Sequence, residues 1–133
     1  MKGEALSNLQ REFEFIDCLI IDEFSMLSQT MLGKIESRLQ QAKSNNNVFG
    51  GISLILFGDP AQLLPVCATS LYDKQLKTLL KVAGHEAYKK FEIVITLDAV
   101  MRQQNLNNDT LQAKFIELLP RLRDGTSTYE DWQ

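Results

Sequence analysis

Two short apolar runs that each end in an acidic turn are the feature that most restricts the fold of this chain. Phe15–Ile21 ends abruptly at Asp22-Glu23, and Ile52–Phe57 ends at Gly58-Asp59-Pro60. Short continuous runs of apolar and β-branched residues are typical of strands that are buried on both faces of a parallel sheet. The helix-length connection between the two runs therefore predicts a β-α-β unit with a right-handed crossover.

The connection itself has helical spacing. Ser28 is placed to cap a helix whose apolar residues then recur on one side, at Leu32, Ile35, Leu39 and Ala42. Residues 44–51 contain an asparagine triplet and a glycine pair, which predict the turn before the second strand. Ligands of open parallel sheets bind beyond the carboxyl ends of the strands, so both acidic turns are expected at one functional edge.

Two more elements extend the α/β pattern. Helical spacing of apolar residues predicts a second helix over residues 76–83, which Gly84 should break. Further along, Phe91–Leu97 is another short run rich in β-branched residues, and it predicts a third strand.

A last helix is expected after the Asn108-Asp109 cap. Pro120 cannot donate a backbone hydrogen bond, so it should kink that helix or end it near Leu119. Gly125 is the expected stop for the turn that follows.

The composition is that of a soluble globular protein, and it excludes several functional classes. The 133 residues are 44% hydrophobic and 23% charged, with 14 basic and 17 acidic side chains and a net charge of −3. Nucleic-acid binding therefore cannot be argued from the net charge. Two distant cysteines and one histidine offer too few ligands for a zinc site. No apolar run approaches the ~20 residues that span a bilayer, so no membrane partner is expected.

A buried strand that ends in two carboxylates has a specific use in nucleotide hydrolysis. Asp22 can accept hydrogen bonds from the waters of a magnesium ion, which prefers oxygen ligands and retains several waters. Glu23 can orient and deprotonate the water that attacks the terminal phosphate. Taken alone, the pair is equally explained as a solvated strand end.

Two later segments carry side chains suited to phosphate chemistry. Gln62, in the loop Gly58–Val66, can donate to a phosphate oxygen and accept from water, as a sensor of the triphosphate state requires. Arg102, in Met101–Gln103, is the residue type that stabilises a transferring phosphoryl group, and such an arginine finger is worth ~10³–10⁵ in rate. An ordinary Pro-rich turn and a surface arginine are the alternative interpretations.

The three segments, in this order, resemble motifs II, III and IV of the Pif-one-like DNA helicases of superfamily 1, a family that includes the helicases of Helitron transposons. Ile21–Met26 resembles motif II, Phe49–Val66 resembles the approach to motif III and its body, and Leu97–Gln103 resembles motif IV. The resemblance covers most of the chain, from about residue 15 to residue 132.

The resemblance implies a role for each candidate residue. Asp22 would hold magnesium through water, and Glu23 would be the catalytic base. Gln62 would be the γ-phosphate sensor, on a loop that Asp59 helps to shape. Arg102 would be the arginine finger. The side chains that would together bind ATP are those of Asp22, Glu23, Gln62 and Arg102.

The implied fold is α/β: a RecA-like P-loop NTPase fold with a three-layer, mainly parallel sheet. Residues 1–90 would be the C-terminal part of the first RecA-like ATPase domain, and residues 91–133 the start of the second. The chain contains no G-x-x-x-x-G-K-[ST] sequence, so the phosphate-binding loop and its strand are absent. The sequence is therefore expected to be incomplete at both ends and inactive by itself.

The resemblance implies a 5′-3′ DNA helicase that couples ATP hydrolysis to unwinding, with magnesium as cofactor. Single-stranded DNA and duplex junctions would be its partners, in DNA repair, recombination and telomere maintenance. It implies a nucleus or a mitochondrion as the compartment, although no targeting signal is readable, and the residues predict no oligomeric state.

Two alternatives stay open. The chain could be a non-catalytic remnant that binds DNA or a protein without turnover. It could also belong to another ATPase class with the same strand and acidic pair. In that case the loop Gly58–Val66 and the pair Arg102-Gln103 would resemble the helicase motifs only by coincidence.

Overall fold

The computed structural model describes residues 3–74, 78–99, 101 and 109–132, in which two strands form a parallel sheet. β1 (Cys18–Ile21) pairs with β2 (Ser53–Leu56), residue for residue. The parallel pairing confirms the predicted β-α-β unit, although each strand is shorter than its apolar run. The fold of the described chain is thus mixed α/β with a small parallel sheet.

The sheet packs against the core on one face only. Leu19 and Ile21 of β1 and Leu54 and Leu56 of β2 contact the buried cluster. The alternate side chains are exposed, so the expectation of strands buried on both faces is wrong. The buried cluster consists of Leu27, Leu32, Leu39, Phe49, Ile52, Leu71 and Ala87.

Two helices lie side by side in the first half of the chain. α1 (Glu4–Phe13), which was not predicted, packs along α2 (Gln29–Lys43), and its Gln10 side chain donates to the Gln41 carbonyl at 3.2 Å. The N-cap prediction for α2 is confirmed, because the Ser28 hydroxyl accepts from the backbone N–H three residues on. The predicted apolar stripe of α2 also faces the core, with Leu32, Leu39 and Ala42 buried and Ile35 half-buried.

α3 (Leu79–Tyr88) passes through Gly84, so the predicted helix break is wrong. The glycine serves close packing instead. A Cβ atom at Gly84 would collide with the carbonyl oxygen of Gln29, and one at Gly33 of α2 would lie 2.6 Å from the carbonyl oxygen of Leu80. α2 and α3 therefore cross with a glycine on each helix.

The predicted third strand, Phe91–Leu97, is absent, because residues 91–99 have no regular secondary structure. The Phe91 ring packs near Phe49 and Tyr88, with centroid distances of 5.8 and 6.1 Å. The apolar residues after it are exposed. A strand needs a neighbouring strand to satisfy its backbone groups, and no described residue pairs with this run.

α4 (Thr110–Arg123) lies in the second half of the chain and is followed by a 3₁₀ turn, Tyr129–Trp132. Its predicted cap is confirmed at Asp109, whose carboxylate accepts from the Leu111 N–H at 2.9 Å, whereas Asn108 lies outside the described residues. Because the helix continues to Arg123, the expected end near Leu119 is wrong, whereas the alternative, a kink at Pro120, stays a prediction.

Pro120 lies in the last turn of α4, and the helix continues past it to Arg123 although the proline has no N–H to donate to the carbonyl four residues earlier. Gly125, with φ at +67°, stops the segment that contains Arg121 and Arg123, as predicted. This segment is the last turn of α4 and not a separate turn. Its N–H donates to the Leu122 carbonyl at 3.3 Å, and the Thr126 N–H donates to the Arg121 carbonyl at 2.8 Å. These two bonds form a Schellman motif.

The chain divides into two compact units, Met1–Val94 and Ile95–Gln133. The assignment of residues 1–90 and 91–133 to two RecA-like domains stays a prediction. None of the helices in the described parts of the chain is long and apolar enough to cross a membrane.

Candidate functional site at the strand ends

The acidic pair lies in a tight turn directly after β1. Both side chains are exposed. The Glu23 N–H donates to Oδ1 of Asp22 at 2.8 Å, which orients the Asp22 carboxylate. Glu23 has left-handed backbone angles, φ 53° and ψ 44°, which are uncommon for a residue other than glycine. This turn sends the chain into a 3₁₀ segment, Phe24–Met26, and leaves both carboxylates at the edge of the sheet.

The end of β2 is joined to this turn by backbone hydrogen bonds. The Phe57 N–H donates to the Ile21 carbonyl at 2.8 Å, and the Phe24 N–H donates to the Phe57 carbonyl at 3.1 Å. A Cβ atom on Gly58, whose φ is +144°, would lie 3.3 Å from the Cα of Glu23 and 3.1 Å from the Phe24 nitrogen. Only glycine fits here without pressing on the acidic turn.

The loop that carries Gln62 begins at this contact. The Asp59 carboxylate accepts from the Ala61 N–H at 2.9 Å, and the Gln62 N–H donates to the Asp59 carbonyl at 3.1 Å. Asp59 therefore shapes the turn, as expected. The Gln62 side chain is exposed on this loop. The structure thus brings Asp22, Glu23 and the start of the Gln62 loop to one edge of the sheet.

Arg102, the predicted arginine finger, lies outside the described residues, as does Gln103. The roles of Asp22, Glu23 and Gln62 in binding and hydrolysis likewise stay predictions. The structure establishes only where these three residues lie.

The carboxylate chemistry at this edge fits magnesium better than a metal that needs many protein ligands. Within residues 3–74, 78–99, 101 and 109–132, no group of three or more His, Cys, Asp or Glu side chains could hold a metal ion. Magnesium is usually bound through one or two carboxylates together with waters and substrate phosphates. The exposed, oriented carboxylate of Asp22 meets that requirement.

Two residues near the acidic turn were not predicted to matter. Ser25 is 2% exposed, and its hydroxyl has no hydrogen-bond partner among the described residues. Gln29 is fully buried at the start of α2, beside loop residues that follow Gln62. A polar residue next to a helix cap is ordinarily exposed, so the sequence held no signal for its burial. The contact made by Gly58 was also missed, although Gly-Asp-Pro did signal a turn.

Comparison with known proteins identifies the family of the chain. A family model described as PIF1-like helicase matches residues 3–133. The ATP-dependent DNA helicase PIF1 of Saccharomyces cerevisiae is 33% identical over 115 residues, which cover 86% of this chain and 12% of that protein. The chain therefore spans about one-eighth of the length of this curated relative.

Solved structures agree with the fold. The Pif1 helicase of Candida albicans superposes with a TM-score of 0.65 at 28% identity, over 98% of this chain and 28% of that one. The Bacteroides Pif1 structure bound to single-stranded DNA has a TM-score of 0.62 at 23% identity, with 98% of this chain and 29% of that chain covered. The chain belongs to the PIF1-like helicase family and corresponds to part of a Pif1 helicase.

Proposed function

We propose that this chain supplies part of the ATP site of a 5′-3′ DNA helicase, within a RecA-like domain. The observation that carries the proposal is the joint between the two strand ends. The Phe24–Phe57 hydrogen bond and the close approach of Gly58 hold Glu23 beside the start of the Gln62 loop. A fixed arrangement of this kind suits phosphoryl transfer, where positioning and electrostatic stabilisation provide most of the catalysis.

Each side chain has a distinct task in this proposal. Asp22, with its oriented carboxylate, would hold a magnesium ion through water. Glu23 accepts the proton of the attacking water. Gln62 donates to the γ-phosphate, and Arg102 stabilises the charge that develops on it. When bound with the nucleotide, magnesium supplies charge neutralisation for the transferring group.

Single-stranded DNA and duplex junctions are the proposed polymer substrates. The Bacteroides relative was solved bound to single-stranded DNA, which supports this choice. Roles in DNA repair, recombination and telomere maintenance, in the nucleus or the mitochondrion, are part of the same proposal.

The decisive experiment measures ATP hydrolysis by the protein expressed from its native open reading frame, with magnesium and with or without single-stranded DNA. DNA should stimulate turnover. Glu23→Gln and Arg102→Ala should each lower kcat by about 10³-fold or more, the scale of a lost phosphoryl-transfer group. The matched control is Glu12→Gln, on an exposed position of α1, which should leave kcat unchanged.

Two results would contradict the proposal. Full turnover in Glu23→Gln would show that Glu23 is not the catalytic base. Unchanged turnover in Arg102→Ala would show that Arg102 is not an arginine finger. The 133 residues alone should not hydrolyse ATP, because the chain has no phosphate-binding loop sequence. Turnover by the isolated chain that Glu23→Gln abolishes would overturn this expectation.

A further inference from the structure

A short segment after the Gln62 loop is bound at both of its ends by one glutamine. We call this segment, Thr69–Asp73, the strap. The Gln29 N–H donates to the Thr69 carbonyl at 3.0 Å, and the Gln29 side-chain Nε2 donates to the Asp73 carbonyl at 2.5 Å. One residue at the start of α2 thus binds the first carbonyl of the strap through its backbone and the last carbonyl through its side chain.

Further contacts hold the strap at its first residue and in its middle. Lys81 of α3 donates from Nζ to the Thr69 hydroxyl at 2.6 Å, and the His85 ring Nδ1 lies 3.2 Å from the Leu71 carbonyl oxygen. The Leu71 side chain is 1% exposed in the core. The strap therefore lies against both α2 and α3, with a buried apolar anchor in its middle.

Gln29 is well placed to act as a rigid support. It is fully buried, and the absence of a side chain on Gly84 lets α3 pack directly on its carbonyl oxygen. Its Oε1 atom has no hydrogen-bond partner among the described residues. A buried polar atom without a partner is unfavourable. The Nε2 donor of the same amide, in contrast, is satisfied by the Asp73 carbonyl of the strap.

Hydrogen bonds fix both ends of the loop that carries Gln62, relative to the acidic pair Asp22-Glu23. The first end leaves β2 at the Phe24–Phe57 hydrogen bond, one residue after Glu23. The second end enters the strap, which is fixed to the helix that follows the acidic turn. Fixing both ends of a short loop restricts the positions that its middle can reach.

We propose that Gln29 is a positioning residue that acts through the strap to hold Gln62 in place for the γ-phosphate. This inference rests on the proposed function of Gln62. The anchoring of the loop, however, can be measured without any nucleotide.

The first measurement is amide hydrogen exchange of the protein expressed from its native open reading frame, without nucleotide. Gln29→Met keeps the side-chain length but removes the donor to Asp73. Exchange over residues 59–66 should become at least about tenfold faster, because the loop opens more often. The melting temperature should stay within about 4 °C of the wild type, since the unpartnered Oε1 is removed as well.

The matched control is Gln40→Met on the same helix. The Gln40 side chain also donates to backbone carbonyls, those of Asn46 and Asn47, both at 3.3 Å. These carbonyls lie beyond the C-terminal end of α2 and not in the strap. Gln40→Met should leave exchange over residues 59–66 unchanged.

The second measurement is the ratio of the dissociation constants for ADP and for a non-hydrolysable ATP analogue. Gln29→Met and Gln62→Ala should each lower this ratio by about fivefold or more, since both remove the favourable contact with the γ-phosphate. The double variant should lose no more than Gln62→Ala alone, because residues that act through one contact are not additive. General destabilisation would not change the ratio for the folded molecules.

The two measurements separate the two proposals. Wild-type protein that binds no nucleotide would overturn the proposed function, and exchange alone would then decide whether the strap holds the loop. Unchanged loop exchange in Gln29→Met, or additive losses in the double variant, would overturn the positioning role. If Gln29→Met does not fold, Thr69→Val removes only the hydroxyl that accepts from Lys81, and it must still speed loop exchange.

Discussion

The two units of the chain are stabilised by different interactions. In Met1–Val94 a cluster that includes Leu32, Phe49 and Leu71 is almost fully buried. In the described part of Ile95–Gln133 no residue is buried. The second unit is held by helix caps and by the ion pair between Arg121 and Asp131. The first unit should therefore respond mainly to changes in packing, and the second mainly to backbone conformation and charge.

Matched leucine substitutions should show the largest difference between the units. Leu32→Ala empties a fully buried site, so the free energy of unfolding of the first unit should fall by about 2–5 kcal/mol. Leu111→Ala on α4, where the leucine is 73% exposed, should change stability by less than about 0.5 kcal/mol. Urea unfolding followed by hydrogen exchange of each unit measures both. Equal losses of stability in the two variants would show that packing contributes equally to both units.

Matched glycine substitutions should sharpen the contrast. Gly84→Ala places a methyl group against the Gln29 carbonyl and should cost about 1–3 kcal/mol or more through helix separation. Gly125→Ala meets no neighbour and should cost about 1–2 kcal/mol through its left-handed backbone alone. Asparagine tolerates that backbone, so Gly125→Asn should recover much of the loss, whereas Gly84→Asn should not. Thermal melts of the four variants test this ordering.

The second unit should show the smaller, pH-dependent effect. Arg121, with the Thr128 N–H, holds the pKa of the Asp131 carboxyl well below its ordinary value of 3.8. Because the folded pKa is lowered, this stabilisation is complete above the unfolded pKa. It is lost as the pH falls below 3.8 towards the folded value.

The indole N–H resonance of Trp132, in the same turn as Asp131, should report that loss in an NMR titration from neutral to strongly acidic pH. Asp131→Asn should remove the dependence. Glu117→Gln, at an exposed position of α4, should retain the pH dependence. A titration that is unchanged in Asp131→Asn would show that another group is responsible.

The sequence was sufficient where local signals agreed with one another. The Ser28 cap, the apolar stripe of α2 and the two runs beside it all indicated one β-α-β unit, and that unit formed. The position of the acidic pair and of the Gln62 loop at one edge followed from that topology. The prediction of a third strand failed at Phe91–Leu97, because a strand depends on a partner strand that the local sequence does not reveal.

The remaining errors concern contacts between distant segments. Gly84 was interpreted through its low helix propensity, but its role is set by Gln29 on another helix. Gln29 was missed for the same reason, because the carbonyls that it binds belong to a segment about forty residues further along the chain. Gly58 was recognised as a turn residue, and only the structure shows what it contacts.

The left-handed backbone at Glu23 bears on how the proposed base should be replaced and on why a glutamate occupies this position. Glycine or asparagine would satisfy φ 53° more easily than glutamate does. Removing the carboxylate by Glu23→Asn should thus leave the turn intact and isolate its chemistry. A glutamate at a position where the backbone prefers another residue is expected where chemistry, and not folding, selects the side chain.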